Sequence, residues 1–337
     1  MEKDLNTSAV IPPRLIPAFV AGFNAVANNI YLIAFPVLLD LLLWLGPLVR
    51  VKNLVQPIFE ETVKQMAGLY PADTIALLDA SKEAVLQFFE QFNLLFALRT
   101  LPVGIPSLMA GVAPLTNPLG SLQVVEMAST NQTWSVILAC LFVGICLGCL
   151  FFSLVAKTVA GNKIAWDFNL LLLQLKNTFI LSLVLVGFVL VLSLPTLLLM
   201  SFIVSFLPSL GSIPIMLLGV FLVWLLLPMV FSVHGIFMGQ SNPLKSISTS
   251  MHLVKRYLPT SGLFFLVAIL LSQGLDMLWA TPQPGEWISL VGILGHGFIS
   301  SGLLAASFVY YFKGMEYMQE RMRRDSAKTD MPAFKGN

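Results

Sequence analysis

The sequence predicts an all-α polytopic membrane protein, with six transmembrane helices forming three hairpins and an interfacial amphipathic helix before each. Three observations carry that prediction. First, 57% of the 337 residues are hydrophobic and only 11% are charged, against roughly 25% charged in a soluble domain. The stretch between Lys176 and Lys245 has no Lys, Arg, Asp or Glu, and a span needs only about 20 such residues. Second, the cations are unevenly placed: alternating the spans puts fourteen of the nineteen Lys and Arg on one side and five (Arg50, Lys52, Lys64, Lys82 and Arg99) on the other. By the positive-inside rule both termini are cytoplasmic. Third, a segment too polar to insert and too apolar to be free stands before every second span: "RLIPAFVAGFNAVANN", "AWDFNLLLLQLKNT" and "NPLKSISTSMHLVKRYLP".

Taken in order, residues 1–29 form a cytoplasmic tail and the first interfacial helix. The tail lacks a signal peptide's basic start, short apolar core and small-residue cleavage site, and is expected to stay attached. Span one covers 30–48. Residues 49–134 are a large insertion on the outer side, where Val51, Leu54, Val55, Ile58, Thr62 and Met66 line one helical face. Ile75, Leu78, Leu86, Phe89, Phe92 and Phe96 line a second, with Glu60, Glu61, Asp79, Glu83 and Glu90 turned away. Two such helices without a core of their own must lie on lipid, on the bundle or on a protein partner. The stretch that follows, "LPVGIPSLMAGVAPLTNPLG", is too rich in Pro and Gly for regular helix and apolar enough to dip into the interface.

Residues 135–312 hold spans two to six, at 135–156, 178–206, 213–237, 259–280 and 288–312, the third and fourth turning at "LPSLGSIP". Residues 313–337 are a basic cytoplasmic tail with Glu320 and Arg324 at helical i,i+4 spacing. Trp44, Trp134, Trp279 and Trp287 fall at outer span ends and Tyr31, Tyr257, Tyr310 and Tyr311 at inner ones, as aromatic belts do. "GICLG" (Gly144 to Gly148) has the spacing of close packing between membrane helices.

The motif "NPLKSISTSMHLVKRYLPTSGLFFLVAILL" and the three units of interfacial helix plus hairpin resemble the membrane domain ahead of some bacterial glycerophosphodiester phosphodiesterases, and the stand-alone six-span membrane proteins similar to it. The likeness leaves out the outer insertion. It implies a fold and no activity, because that family's chemistry sits in a separate soluble barrel for which this chain has no room.

Four ionisable residues fall within spans: Asp40, His234, Asp276 and His296. Asp40 and His296 both lie ~12 Å below the outer ends of their spans, and Asp276 ~6 Å below its own. The depths allow an Asp40–His296 pair with Asp276 above it, either locking hairpin one to hairpin three or relaying protons; the other structural reading is a neutral Asp40 bonded to a backbone carbonyl. His234, near the inner end of span four, is expected at the interface, satisfied by snorkelling or by a bond to the exposed chain. Cys140, Cys146 and Cys149 share one apolar run and read as packing residues.

No catalytic triad, zinc-binding helix, phosphate loop or carboxylate pair occurs, so the sequence suggests neither an enzyme nor a cofactor. The formal net charge of +2 comes without a basic stripe and excludes a nucleic-acid partner. The sequence points to a non-catalytic scaffold, assembly factor or complex subunit in the plasma membrane, contacting lipid and a protein partner at the 50–134 cap. A small-solute or ion transporter using Asp40, Asp276 and His296 is the alternative.

Overall fold

The computed structural model describes residues 13–67, 72–110, 116–161, 167–206, 213–282 and 285–329. The turn expected at 207–212 and both extreme termini lie outside these residues. So do the side chains of 66–81, including Met66, Ile75, Leu78 and Asp79 of the expected cap faces. Among the described residues, five helices are long and apolar enough to cross a membrane: Thr130–Ala160, Phe168–Ile203, Met216–Gly239, Leu258–Trp279 and Ser289–Arg324. The pair Leu15–Ala27 and Ile30–Leu45 makes a sixth only if counted as one broken span. On the second of the five, Leu190, Val191, Leu194 and Leu198 are all more than half exposed, which suits a surface solvated by lipid rather than water.

The helices in chain order are α1 (Leu15–Ala27), α2 (Ala34–Leu45), α3 (Lys52–Ala67), α4 (Ala72–Gln91), α5 (Thr130–Ala160), α6 (Phe168–Phe206), α7 (Ile213–Leu226), α8 (Ser232–Gly239), α9 (Pro243–Arg256), α10 (Leu258–Trp279) and α11 (Ser289–Thr329). Among the described residues, four short strands, β1 (Leu48–Arg50), β2 (Thr116–Asn117), β3 (Gly120–Ser121) and β4 (Val124–Glu126), lie at the start of the insertion or within it. β1 pairs in parallel with β4, Val49 opposite Val125, and β2 pairs antiparallel with β3.

The chain divides into two compact units, with α5, α10 and α11 contributing a part to each. The first comprises residues 1–28, 153–269 and 302–337. Its core is aromatic: Phe19 stacks on Phe264 at 4.9 Å, Phe264 on Tyr310 at 4.7 Å, and Phe231 on Tyr310 at 5.7 Å. Offset stacking at such distances adds about 0.5–1.5 kcal/mol per pair beyond simple burial. Tyr310 and Tyr311 belong to this core and are buried rather than placed on an interfacial belt.

Two elements of this unit depart from expectation. The second interfacial helix is not separate, because α6 runs unbroken for 39 residues, ~58 Å at helical rise. Its polar positions Gln174, Asn177, Thr178 and Ser182 are all buried. Gln174 and Asn177 donate to the Phe237 and Ser241 carbonyls, 3.5 and 3.4 Å away, at the end of α8. The face that reads as interfacial thus caps a neighbouring helix C-terminus. Span four, in turn, is broken. α7 gives way to a 3-10 turn at Leu227–Met229 before α8 begins, where Pro228 brings no N–H to the helical ladder. The Ser250 hydroxyl of α9 donates to the Pro228 carbonyl at 2.7 Å, and Ser246 to that of Ser232. α9 starts as its sequence dictates, with the Asn242 side chain accepting from the Lys245 N–H at 2.9 Å and Pro243 in the first turn.

The second unit comprises residues 29–152 and 270–301. Span one is shorter than predicted: a 3-10 turn (Ile30–Ile33) leads into α2, which stops at Leu45 before Gly46 and β1. The insertion has a small core of its own, where Val49, Val51, Leu94 and Met127 are buried against Leu54, Val55, Phe89 and Phe92. Glu90 is not turned away, since Lys52 binds it at 3.2 Å while Arg50 pairs with Glu126. Trp44 is no lipid-belt residue either. It is fully buried, edge-on to Trp287 at 6.0 Å.

Candidate functional site

Asp40 lies on the buried face of α2 with Pro36, Leu39, Leu43 and Trp44, and no part of it is exposed. Its carboxylate is met by the irregular segment 99–110, not by another span. Ser107 Oγ donates to Oδ1 at 2.5 Å, the Met109 N–H to Oδ1 at 3.0 Å, and the Leu108 N–H to Oδ2 at 3.1 Å. A backbone without helical or strand pairing presents free N–H groups, and in an apolar setting each needs an acceptor. The carboxylate supplies two oxygens to three donors, in the strong charge-assisted class of hydrogen bond.

The same stretch of α2 anchors the rest of the insertion. One helical turn on, the Trp44 carbonyl accepts from Asn117 Nδ2 at 3.2 Å, and the Pro47 carbonyl accepts from Asn93 Nδ2 at 3.1 Å. Asn93 Oδ1 takes the N–H groups of Val49 and Leu95 at 3.2 and 3.1 Å. From the other side, segment 98–103 lies on α5. A Cβ at Gly144 would stand 2.3 Å from the Leu98 carbonyl oxygen, and one at Gly148 would stand 2.0 Å from that of Val103. The small-residue pair expected to receive a helix therefore receives the end of a 3-10 turn and the irregular chain that follows it.

His296 does not hydrogen-bond to Asp40. Its Nδ1 meets Asp276 Oδ1 at 2.7 Å, between α11 and α10, and Ser272 Oγ reaches Asp276 Oδ2 at 3.5 Å. The His296 ring is buried, and its Nε2 has no partner among the described residues. The imidazole remains within electrostatic reach of Asp40. Asp40, Asp276 and His296 thus share one unit, with His296 bonded to Asp276 and Asp40 to the loop. Removing Asp276 and His296 singly and together should show a coupling of about 1 kcal/mol in a double-mutant cycle. Thermal unfolding in detergent reads it, and additive effects would mean the pair contributes nothing.

His234 falls in the first unit and does not snorkel. It is buried between Phe308 and Tyr311, with ring centroids at 4.3 and 5.7 Å, and Nε2 meets Ser307 Oγ at 2.7 Å. Cys140 and Cys149 are buried. No group of three metal-ligating side chains occurs among the described residues.

Sequence reasoning missed Ser107 and the N–H groups of Leu108 and Met109. The available signal was an irregular apolar segment with a surplus of donors, beside a buried acid with a surplus of acceptors. The chain matches no protein-family model, no curated protein and no solved structure.

Proposed function

We propose that this membrane protein is a non-catalytic scaffold or complex subunit whose insertion, 49–134, presents a docking surface to a protein partner. The supporting observation is the use made of Asp40: both carboxylate oxygens are engaged in holding segment 107–109 to α2. A carboxylate engaged in this way organises the insertion. The insertion also displays apolar side chains among charges, with Ile58 69% and Phe88 49% exposed on α3 and α4, the kind of surface that marks an interaction site. In this reading the insertion lies on the outer side of the plasma membrane and both termini lie in the cytoplasm, as the cation distribution suggests.

Mild extraction of the tagged full-length protein, followed by mass spectrometry of the eluate, tests the proposal. A stoichiometric protein partner is expected, and Ile58→Ser with Phe88→Ser should reduce its recovery at least tenfold. Elution of both forms without a partner overturns the scaffold. The transporter alternative draws on the unpartnered buried Nε2 of His296. It predicts flux in proteoliposomes that Asp40→Asn or Asp276→Asn abolishes while the protein stays folded.

A further inference from the structure

We propose that the first unit carries two sites for anionic phospholipid, one along α9 and one between α1 and α11, each binding a headgroup phosphate through two cations and acyl chain along an apolar wall. α9 buries Pro243, Ser246, Ser250, Leu253 and Val254. Its opposite face is an open groove of about 540 Å³, where Leu244, Ile247 and Met251 form the wall and His252, Lys255 and Arg256 stand at the end. These positions recur at helical spacing, so the apolar stripe leads directly to the cations. Leu244 is 71% exposed and Lys255 and Arg256 are exposed.

Charge complementarity selects the occupant. No acidic residue occurs between Asp167 and Asp276, so α9 and its flanks hold Lys245, Lys255 and Arg256 with no anion of their own. The second groove, about 320 Å³, repeats the chemistry: Pro17, Ala21 and Val309 form the wall and Arg14 and Lys313 the rim. There Lys313 also reaches Glu316 at 2.9 Å. An acidic peptide would satisfy the cations but leave the apolar walls bare. A phospholipid matches both, and α9 leads within two residues into α10, a helix of membrane length. Basic residues at the start of a membrane helix are the usual receptors for anionic headgroups.

The test is native mass spectrometry of the full-length protein in mild detergent, titrated separately with dioleoyl phosphatidylglycerol and dioleoyl phosphatidylcholine. Two tightly held phosphatidylglycerol molecules are expected, with phosphatidylcholine dissociating at lower energy. Lys255→Gln with Arg256→Gln should weaken one molecule by roughly 30-fold, and Arg14→Gln with Lys313→Gln the other. The swaps Lys255→Arg with Arg256→Lys should retain binding. Equal retention of the two lipids, or unchanged phosphatidylglycerol binding in the variant lacking all four cations, overturns the proposal. If that variant fails to fold, the comparison of lipids on the native protein decides alone. Displacement of phosphatidylglycerol by equimolar polyglutamate would assign the grooves to an acidic peptide, and displacement by millimolar inorganic phosphate would reduce them to simple anion sites; either result overturns the lipid assignment.

Discussion

Asp40→Leu should destabilise the protein by on the order of 4 kcal/mol, because it removes the acceptor from two part-buried backbone N–H groups and a buried hydroxyl at once. The series around it is graded by geometry. In Asp40→Asn one oxygen can still serve Ser107 and Met109, but the amide NH₂ then faces the Leu108 N–H. The expected cost is about 2 kcal/mol, one charge-assisted bond together with an orphaned donor. Ser107→Ala leaves the carboxylate with its two backbone donors and should cost less than either. Thermal unfolding in detergent ranks the three, and hydrogen exchange of the Leu108 and Met109 amides reports the loop itself. Protection at these amides that survives Asp40→Leu would show that the carboxylate does not hold them.

Gly148→Ala should be nearly as damaging, at about 3 kcal/mol, through a wholly different mechanism. The added methyl would stand 2.0 Å from the Val103 carbonyl oxygen, a contact that only backbone displacement relieves. Since Val103 lies four residues before Ser107, that displacement should loosen the Asp40 cradle from its far end. The two defects are therefore expected to be less than additive: once Asp40→Leu has released the loop, Gly148→Ala should cost markedly less. Gly187→Ala on α6, where an added Cβ meets nothing within 4 Å, is the control and should be close to neutral. Full additivity would show that α5 and α2 grip the loop independently.

The membrane-length apolar helices were legible from the sequence because lipid imposes length and composition directly. So was the start of α9, where Asn242 and Pro243 declare a helix N-terminus by local chemistry. The polar residues were harder, because their meaning depends on partners distant in sequence. Gln174 and Asn177 look interfacial until α8 supplies carbonyls 63 and 64 positions away. Trp44 looks like a belt residue until Trp287 covers it. Asp40 and His296 stand at matching depth, yet depth does not identify neighbours. An irregular segment 67 to 69 residues downstream outcompetes the imidazole, since it brings two backbone N–H groups and a hydroxyl where the ring could bring one donor. Glu90 was misread for the same reason: helical periodicity places it on the solvent side of α4, and only the return of β1 brings Lys52 to it.

The break between α7 and α8 bears on what ties α9 to the membrane segment before it. The Pro228 carbonyl accepts from a hydroxyl 22 residues later, and that of Ser232 from one 14 residues later. Where regular helical pairing is interrupted in hydrocarbon, a donor brought by a neighbouring element is worth more than it would be in water. Serines 246 and 250, silent in any hydropathy profile, thus bind α9 to the main chain of the interrupted segment by contacts that no apolar side chain at those positions could reproduce.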